Sequence, residues 1–267
     1  MSAAMESVDE IIARKRAEVE TACAARPLHE LAEAALAPEY RRNLVSALTG
    51  PELRLVAEIR RPPPGDVASM LFDPRVLAQE LAGAGAAAIS VWTDDAEIGS
   101  EMHLVRRARH YMALPVICRD MFVDPYQIYQ AAEQGADAVA LTVALVDDDN
   151  LWRLMRAAGK LGMATVVVVR DAFELESALA ANAEIICIDN RALETDADDL
   201  ARTDTLAPHV PSEALAISAG ALVSREDAER VSAAGADAAM FESPVDNDLA
   251  RDVIRELRGI DAPGQSG

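Results

Sequence analysis

Short uninterrupted apolar runs recur along the chain, separated by longer stretches whose apolar residues return every three or four positions. LVAEI (55–59), LPVICRD (114–120), ATVVVVRD (164–171) and ALAISAG (214–220) are runs of the first kind. AGAGAAAISVW (82–92), EQGADAVALTV (133–143), ANAEIICID (181–189) and AAGADAAMFES (233–243) add four more on one shared plan, a helix end followed by a strand. Helical spacing fills the gaps, over Pro74–Ala82, Tyr126–Ala132, Asp148–Leu161, Ala172–Ala181, Arg225–Ala234 and Leu249–Leu257. Apolar strands that do not alternate with polar residues are buried on both faces, as in a parallel sheet covered by helices. Eight such units within residues 51–260 predict an α/β fold, a (β/α)8 TIM barrel, rather than an open sheet.

The shared plan is a weak internal repeat. Gly85, Gly135 and Gly235 lie 50 and 100 residues apart, with Ala183 beside the missing slot at 185. Residues 1–50 precede the first strand as a helical extension, and 261–267 read as a loose tail. No low-complexity linker divides the chain, so one domain over 1–267 is expected.

Composition narrows the function classes. The chain is 51% hydrophobic and only 4% aromatic, which suits an alanine-rich helical exterior. No apolar run reaches the roughly 18 residues of a membrane span, and the charged N-terminus is not a signal peptide. A net charge of −20 argues against nucleic acid, whose phosphates need a basic patch. Three widely spaced cysteines, Cys23, Cys118 and Cys187, suit reduced thiols in a cytoplasm. Asp147–Asp149 and Asp196–Asp199 read as solvated helix starts, and no His pair or CxxC supports a metal site. No cofactor is expected; the partner is a small molecule, with a protein partner left open.

In a TIM barrel the chemistry sits at the C-terminal ends of the strands. These ends carry Glu58 and Arg60, Thr93 and Asp94, Arg119 and Asp120, Thr142, Arg170 and Asp171, Asp189 to Arg191, Ser218 and Gly220, and Glu242 and Ser243. The segments VAEIRR, AAAISVWTD, LPVICRDMFVDPYQIYQA, GADAVAL, ICIDNRALET and GADAAMF, in that order, resemble the indole-3-glycerol phosphate synthases from about Val8 to Leu257. RDMFVDPYQIYQA is the most specific of them, close to the family's K-D-F-I-V-D-x-Y-Q-V-x-E-A. The resemblance implies a barrel that closes and decarboxylates a phosphorylated anthranilate-derived substrate to an indole, using lysines and glutamates at strand ends.

Residue by residue, the match departs from that pattern. Glu58 matches the strand-1 glutamate, but Arg60 and Arg119 stand where the resemblance implies the strand-1 lysine and the general-acid lysine. Val168 and Ala219 replace glutamates, Asp189 an asparagine, Gly220 a serine and Glu242 a phosphate-cradling glycine. The F-F-G-G-S turn is reduced to Glu97-Ile98-Gly99-Ser100, and S-P-S has become Pro63-Pro64-Gly65. An arginine keeps the lysine's charge but cannot donate a proton near neutral pH. Valine and alanine transfer none, and Glu242 repels a phosphate. The prolines at 62–64 suit a static wall rather than a closing lid.

These departures lead to the expectation of an altered reaction on a small carboxylated, non-phosphorylated substrate. Glu58 and Asp189 are the candidate catalytic residues; Arg60, Arg119, Asp120, Asn190, Gly220 and Glu242 are the candidate substrate-binding ones. The alternative is a non-catalytic scaffold, in which Arg60 with Glu58 and Arg119 with Asp120 are only paired charges. Cys118 reads as a structural thiol rather than a nucleophile, and Trp92 as mouth packing rather than a stacking platform. The four histidines, His29, His103, His110 and His209, read as surface residues.

Overall fold

A computed structural model describes the chain except for residues 1–5, 37–39, 63–68, 70–71, 97–98, 192–199, 221, 223, 243–246 and 261–267. Three helices come first, α1 (Val8–Ala25), α2 (Leu28–Ala35) and α3 (Leu44–Leu48). Then strands and helices alternate: β1 (Arg54–Ile59), α4 (Pro74–Ala84), β2 (Ala88–Trp92), α5 (His103–Arg109), β3 (Val116–Arg119), α6 (Pro125–Glu133) and β4 (Ala138–Thr142). The second half runs α7 (Asp148–Lys160), β5 (Ala164–Val169), α8 (Ala172–Ala180), β6 (Ile185–Asp189), α9 (Ala201–Leu206), β7 (Leu215–Ala219), α10 (Arg225–Ala233), β8 (Ala238–Glu242) and α11 (Asn247–Leu257). All eight strands pair in parallel, in sequence order, and β8 closes on β1. The TIM barrel expected from the apolar runs is the fold observed.

Closure makes every strand two-faced. One set of side chains, including Leu55, Ala57, Ile89, Val91, Cys118, Ile186, Ile188 and Phe241, packs outward under the helices. The other set, including Val56, Ala88, Ile117, Ala138, Val166, Ile185, Ile217 and Ala238, fills the interior. Leu44 and Leu48 of α3 join that interior cluster from the end where the strands begin, and Arg54 at the start of β1 donates to the Ala47 carbonyl. The opposite end, where the strands finish, is left to polar side chains.

Helix starts follow the capping rule. Asp73, Asp124, Asp147, Asp171 and Ser224 each accept a backbone N–H from the first turn of the helix they precede. Asp148 and Asp149 lie in the first turn of α7, where the helix dipole favours them. The acidic run at 196–199 and the prolines at 63 and 64 lie outside the described residues.

The repeat has a structural cause. Before β2, β4 and β8 the turn passes through Gly85, Gly135 and Gly235, at φ +119°, +85° and +113°. Before β6 the left-handed residue is Asn182, at φ +56°, so the missing glycine is replaced there and not at Ala183. Asparagine is among the few L-residues that tolerate this region. The aspartates that follow in two copies tie down neighbouring strands: Asp137 accepts the Val116 N–H and Asp237 the Ala216 N–H.

Two neighbouring glycines differ in conformation and in space, since a Cβ at Gly85 would also lie 2.9 Å from Arg258 Cδ. Gly83 is exposed in α4 with open room around a Cβ, whereas Gly85 needs its positive φ. Gly83→Ala is expected to raise stability by about 0.5–1 kcal/mol and Gly85→Ala to lower it by about 1–3 kcal/mol, measured by urea unfolding. Equal effects would show that the turn before β2 does not hold its left-handed residue.

Candidate active site

Strand alternation decides which polar residues enter the mouth. Arg119 shares the inward phase with Ile117, and Asp189 that with Cys187. Glu58, Trp92 and Met240 arrive on the same phase of β1, β2 and β8. Residues one step out of phase, such as Cys118 and Ile188, belong to the outer core.

Arg119 spans the barrel. From β3 its Nη1 donates to Glu58 Oε2 on β1 at 2.8 Å, and its Nη2 to Asp189 Oδ2 on β6 at 2.7 Å. Nη1 also lies 3.6 Å from the Met240 sulfur on β8. Val168 and Ala219, small and apolar, line the interior around it and leave that path open. Arg191, two residues beyond β6, returns to the same cluster: its Nε lies 3.1 Å from Asp189 Oδ1 and its Nη1 3.5 Å from Glu58 Oε1. Ser90 donates its hydroxyl to Glu58 at 3.2 Å. Two carboxylates and two guanidiniums thus alternate at the centre of the mouth.

Trp92 lies beside this network. Its ring has three guanidinium carbons near it, Arg60 at 4.7 Å, Arg119 at 5.3 Å and Arg191 at 6.0 Å. The indole N–H is held by the Asp94 carbonyl at 2.6 Å. Such cation–π contacts strengthen as water is excluded.

Charge state follows from pairing. Burial alone would raise the Glu58 carboxyl, but Arg119 and Arg191 outweigh it and hold the group below the usual carboxylate range. The same balance, burial against Arg119 and Arg191, lowers Asp189. Burial works against the Arg119 cation, yet Glu58 and Asp189 hold its pKa above the ordinary arginine value. All three are therefore charged at neutral pH. Cys187, beneath them, is pushed up to about 12 by burial, so its thiol stays protonated. Burial also raises Cys118, whose sulfur lies 3.8 Å from the Thr93 hydroxyl.

Of the residues picked out by sequence, Glu58, Arg119 and Asp189 meet directly, and Arg60 joins them through Trp92. Among the described residues, Arg119 pairs with Glu58 and Asp189 rather than with Asp120, and Glu58 pairs with Arg119 and Arg191 rather than with Arg60. Asp120 is buried one step out of phase, accepting the Thr93 and Ser100 hydroxyls at 2.6 Å each. Asn190 is likewise out of phase and bonds Ser218, Thr203 and the Ala219 carbonyl. Gly220, at φ +78°, gives its N–H to the Met240 carbonyl; a Cβ there would lie 2.9 Å from Arg191 Cγ, so the glycine makes room for that arginine. Glu242 ends β8, exposed, opposite Glu58 in register. Arg191 was named among the strand ends but not chosen as a site residue, and Ser90 was missed, although counting in twos from Asp189 and from Trp92 picks them out. Among the described residues no group of three or more His, Cys, Asp or Glu could hold a metal ion, and no helix is long and apolar enough to cross a membrane.

The family model for indole-3-glycerol phosphate synthase matches residues 8–257. The chain belongs to the indole-3-glycerol phosphate synthase family. A synthase of that name from Roseiflexus castenholzii is 35% identical over 94% of this chain and 98% of its own. Those of Chlorobium chlorochromatii and Dehalococcoides mccartyi (strain CBDB1) are 32% and 35% identical, over 89% and 80% of this chain and 94% and 85% of theirs. Among solved structures, the tryptophan synthase alpha chain from Legionella pneumophila subsp. pneumophila superposes with a TM-score of 0.60 at 15% identity, covering 83% of this chain and 97% of that one, which bears on the fold alone. Relatives this similar over most of the family domain overturn the expectation of an altered reaction on a small carboxylated, non-phosphorylated substrate.

Removing the central cation tests the network. Arg119→Met is expected to destabilise the barrel by about 3–5 kcal/mol, because it leaves two buried carboxylates to the single Arg191 cation. Adding Glu58→Gln should recover part of that loss in urea unfolding. The acid limb is also fixed in sign. Glu58 and Asp189 have depressed folded values, so their stabilisation is full above the unfolded carboxylate value of about 4 and disappears as pH falls through the folded values. Arg119→Met should weaken that acid dependence, since Arg191 remains beside both acids; an unchanged acid transition would place it elsewhere.

Proposed function

We propose that this barrel carries out the reaction of its family, closing and decarboxylating a phosphorylated anthranilate-derived substrate to give an indole. The observation that carries the reading is family membership across residues 8–257 together with a charged cluster at the catalytic end of the barrel. Within it, Arg119 and Arg191 orient the substrate carboxylate through their planar forks. Neither can act as a proton donor.

The proton steps fall to Glu58 and Asp189. Both are held ionised by the two guanidiniums. A third carboxylate docking on Arg119 and Arg191 takes over part of their attraction and adds a like charge beside the two acids. Either effect raises a carboxyl pKa. Substrate binding therefore prepares one of the pair to carry a proton, and the altered position 119 is compatible with acid–base chemistry through its partners. Arg60, exposed over Trp92, is placed to meet the phosphorylated end. Glu242, on the neighbouring strand, weakens that end's binding by repulsion.

Purified protein is expected to release carbon dioxide and form an indole product from the family's substrate, followed by indole fluorescence. Absence of both at high enzyme concentration would overturn the reading. Glu58→Gln should lower kcat by about 100-fold or more, the usual range for a positioned acid or base. Glu242→Gly should lower KM with little change in kcat, because it relieves a repulsion present in ground and transition state alike.

A further inference from the structure

The N-terminal helix is fastened to the catalytic end of the barrel through a buried ammonium. Lys15, in the middle of α1, has a side chain with no exposure to solvent. Its Nζ lies 2.5 Å from Asp94 Oδ1, 2.8 Å from Asp120 Oδ1 and 3.1 Å from Glu18 Oε2. An ammonium has three donors, and each has a carboxylate. Burial works against the cation, but Asp120 and Asp94 outweigh it and raise the Lys15 pKa above the ordinary lysine value.

The two barrel carboxylates that Lys15 joins belong to different loops. Asp94 follows β2 and also receives Arg14 at 2.9 and 3.0 Å. Asp120 follows β3 directly after Arg119. Thr93 links the loops a second time, its N–H to the Arg119 carbonyl and its hydroxyl to Asp120. The Asp94 carbonyl orients the Trp92 indole N–H, as described above. Both acids are therefore one or two residues from the side chains that shape the mouth.

We propose that Lys15 is a positioning residue for the mouth: by holding Asp94 and Asp120 together it fixes the direction of Trp92 and Arg119. Its kinetic consequence rests on the proposed function; its structural consequence does not. Without the ammonium, the two carboxylates would face each other around a vacated site and the loops would separate. The helix itself has another seat, since Ile11 packs with Val123 and Leu145. Loss of Lys15 is thus a release of the loops rather than of α1.

The test uses the full chain in a Trp152→Phe background, which leaves Trp92 as the single tryptophan of the two. Lys15→Met should increase acrylamide quenching of Trp92 at least twofold while far-UV circular dichroism stays the same. With the family's substrate, kcat should fall at least tenfold and KM change less than threefold. Adding Asp120→Asn, which removes the repulsion, should restore most of both readouts. Unchanged quenching in folded Lys15→Met overturns the proposal, as does a kcat loss that follows only the folded fraction. If Lys15→Met does not fold, Asp94→Asn is read the same way, and unchanged quenching there overturns it too. If the parent chain has no activity, the proposed function fails while the quenching still decides the role of Lys15.

Discussion

A guanidinium buried inside a barrel has to be neutralised where it stands, and Arg119 sets that condition for the whole mouth. Moving an ion of this size out of water costs several kcal/mol even after relaxation. Glu58 and Asp189 repay it by approaching from opposite sides, and Arg191 keeps the pair from being one negative charge in excess. The apolar Val168 and Ala219 then make sense as neighbours, because further carboxylates beside this cluster would unbalance it. Gly220 fits the same logic by leaving space for the Arg191 stem.

The fold was legible in the sequence because its signal is strong and local. Eight apolar runs, each followed by a helical pattern, leave few alternatives to a closed parallel sheet. The turn before β6 was harder, since Asn182 performs a glycine's task without looking like one. The site was legible in part. Glu58, Arg119 and Asp189 could be found because they end strands on the inward phase. Asp120 and Asn190 end strands too, but on the other phase, and a list of strand ends does not distinguish the two. Lys15 carried no such signal: its two barrel partners are 79 and 105 positions away in the chain, a relation that only folding creates.

The functional expectation failed for a different reason. It treated each replaced residue as a lost part, one position at a time. In the structure Arg119 meets a carboxylate at 189 and small residues at 168 and 219, where the resemblance implies a lysine, an amide and two glutamates. A set of substitutions that preserves charge balance is weaker evidence for lost chemistry than the same number of unrelated ones. Similarity over most of the chain to proteins named for one activity outweighs it.

The distribution of thiols has a practical side. Burial raises all three thiols, but Cys118 and Cys187 are fully enclosed, whereas Cys23 is partly exposed and lies on α1. A maleimide dye added to the native protein would therefore collect on that one helix. The chain carries its own attachment point for a spectroscopic ruler between the N-terminal helix and the barrel, with no cysteine to engineer in or out.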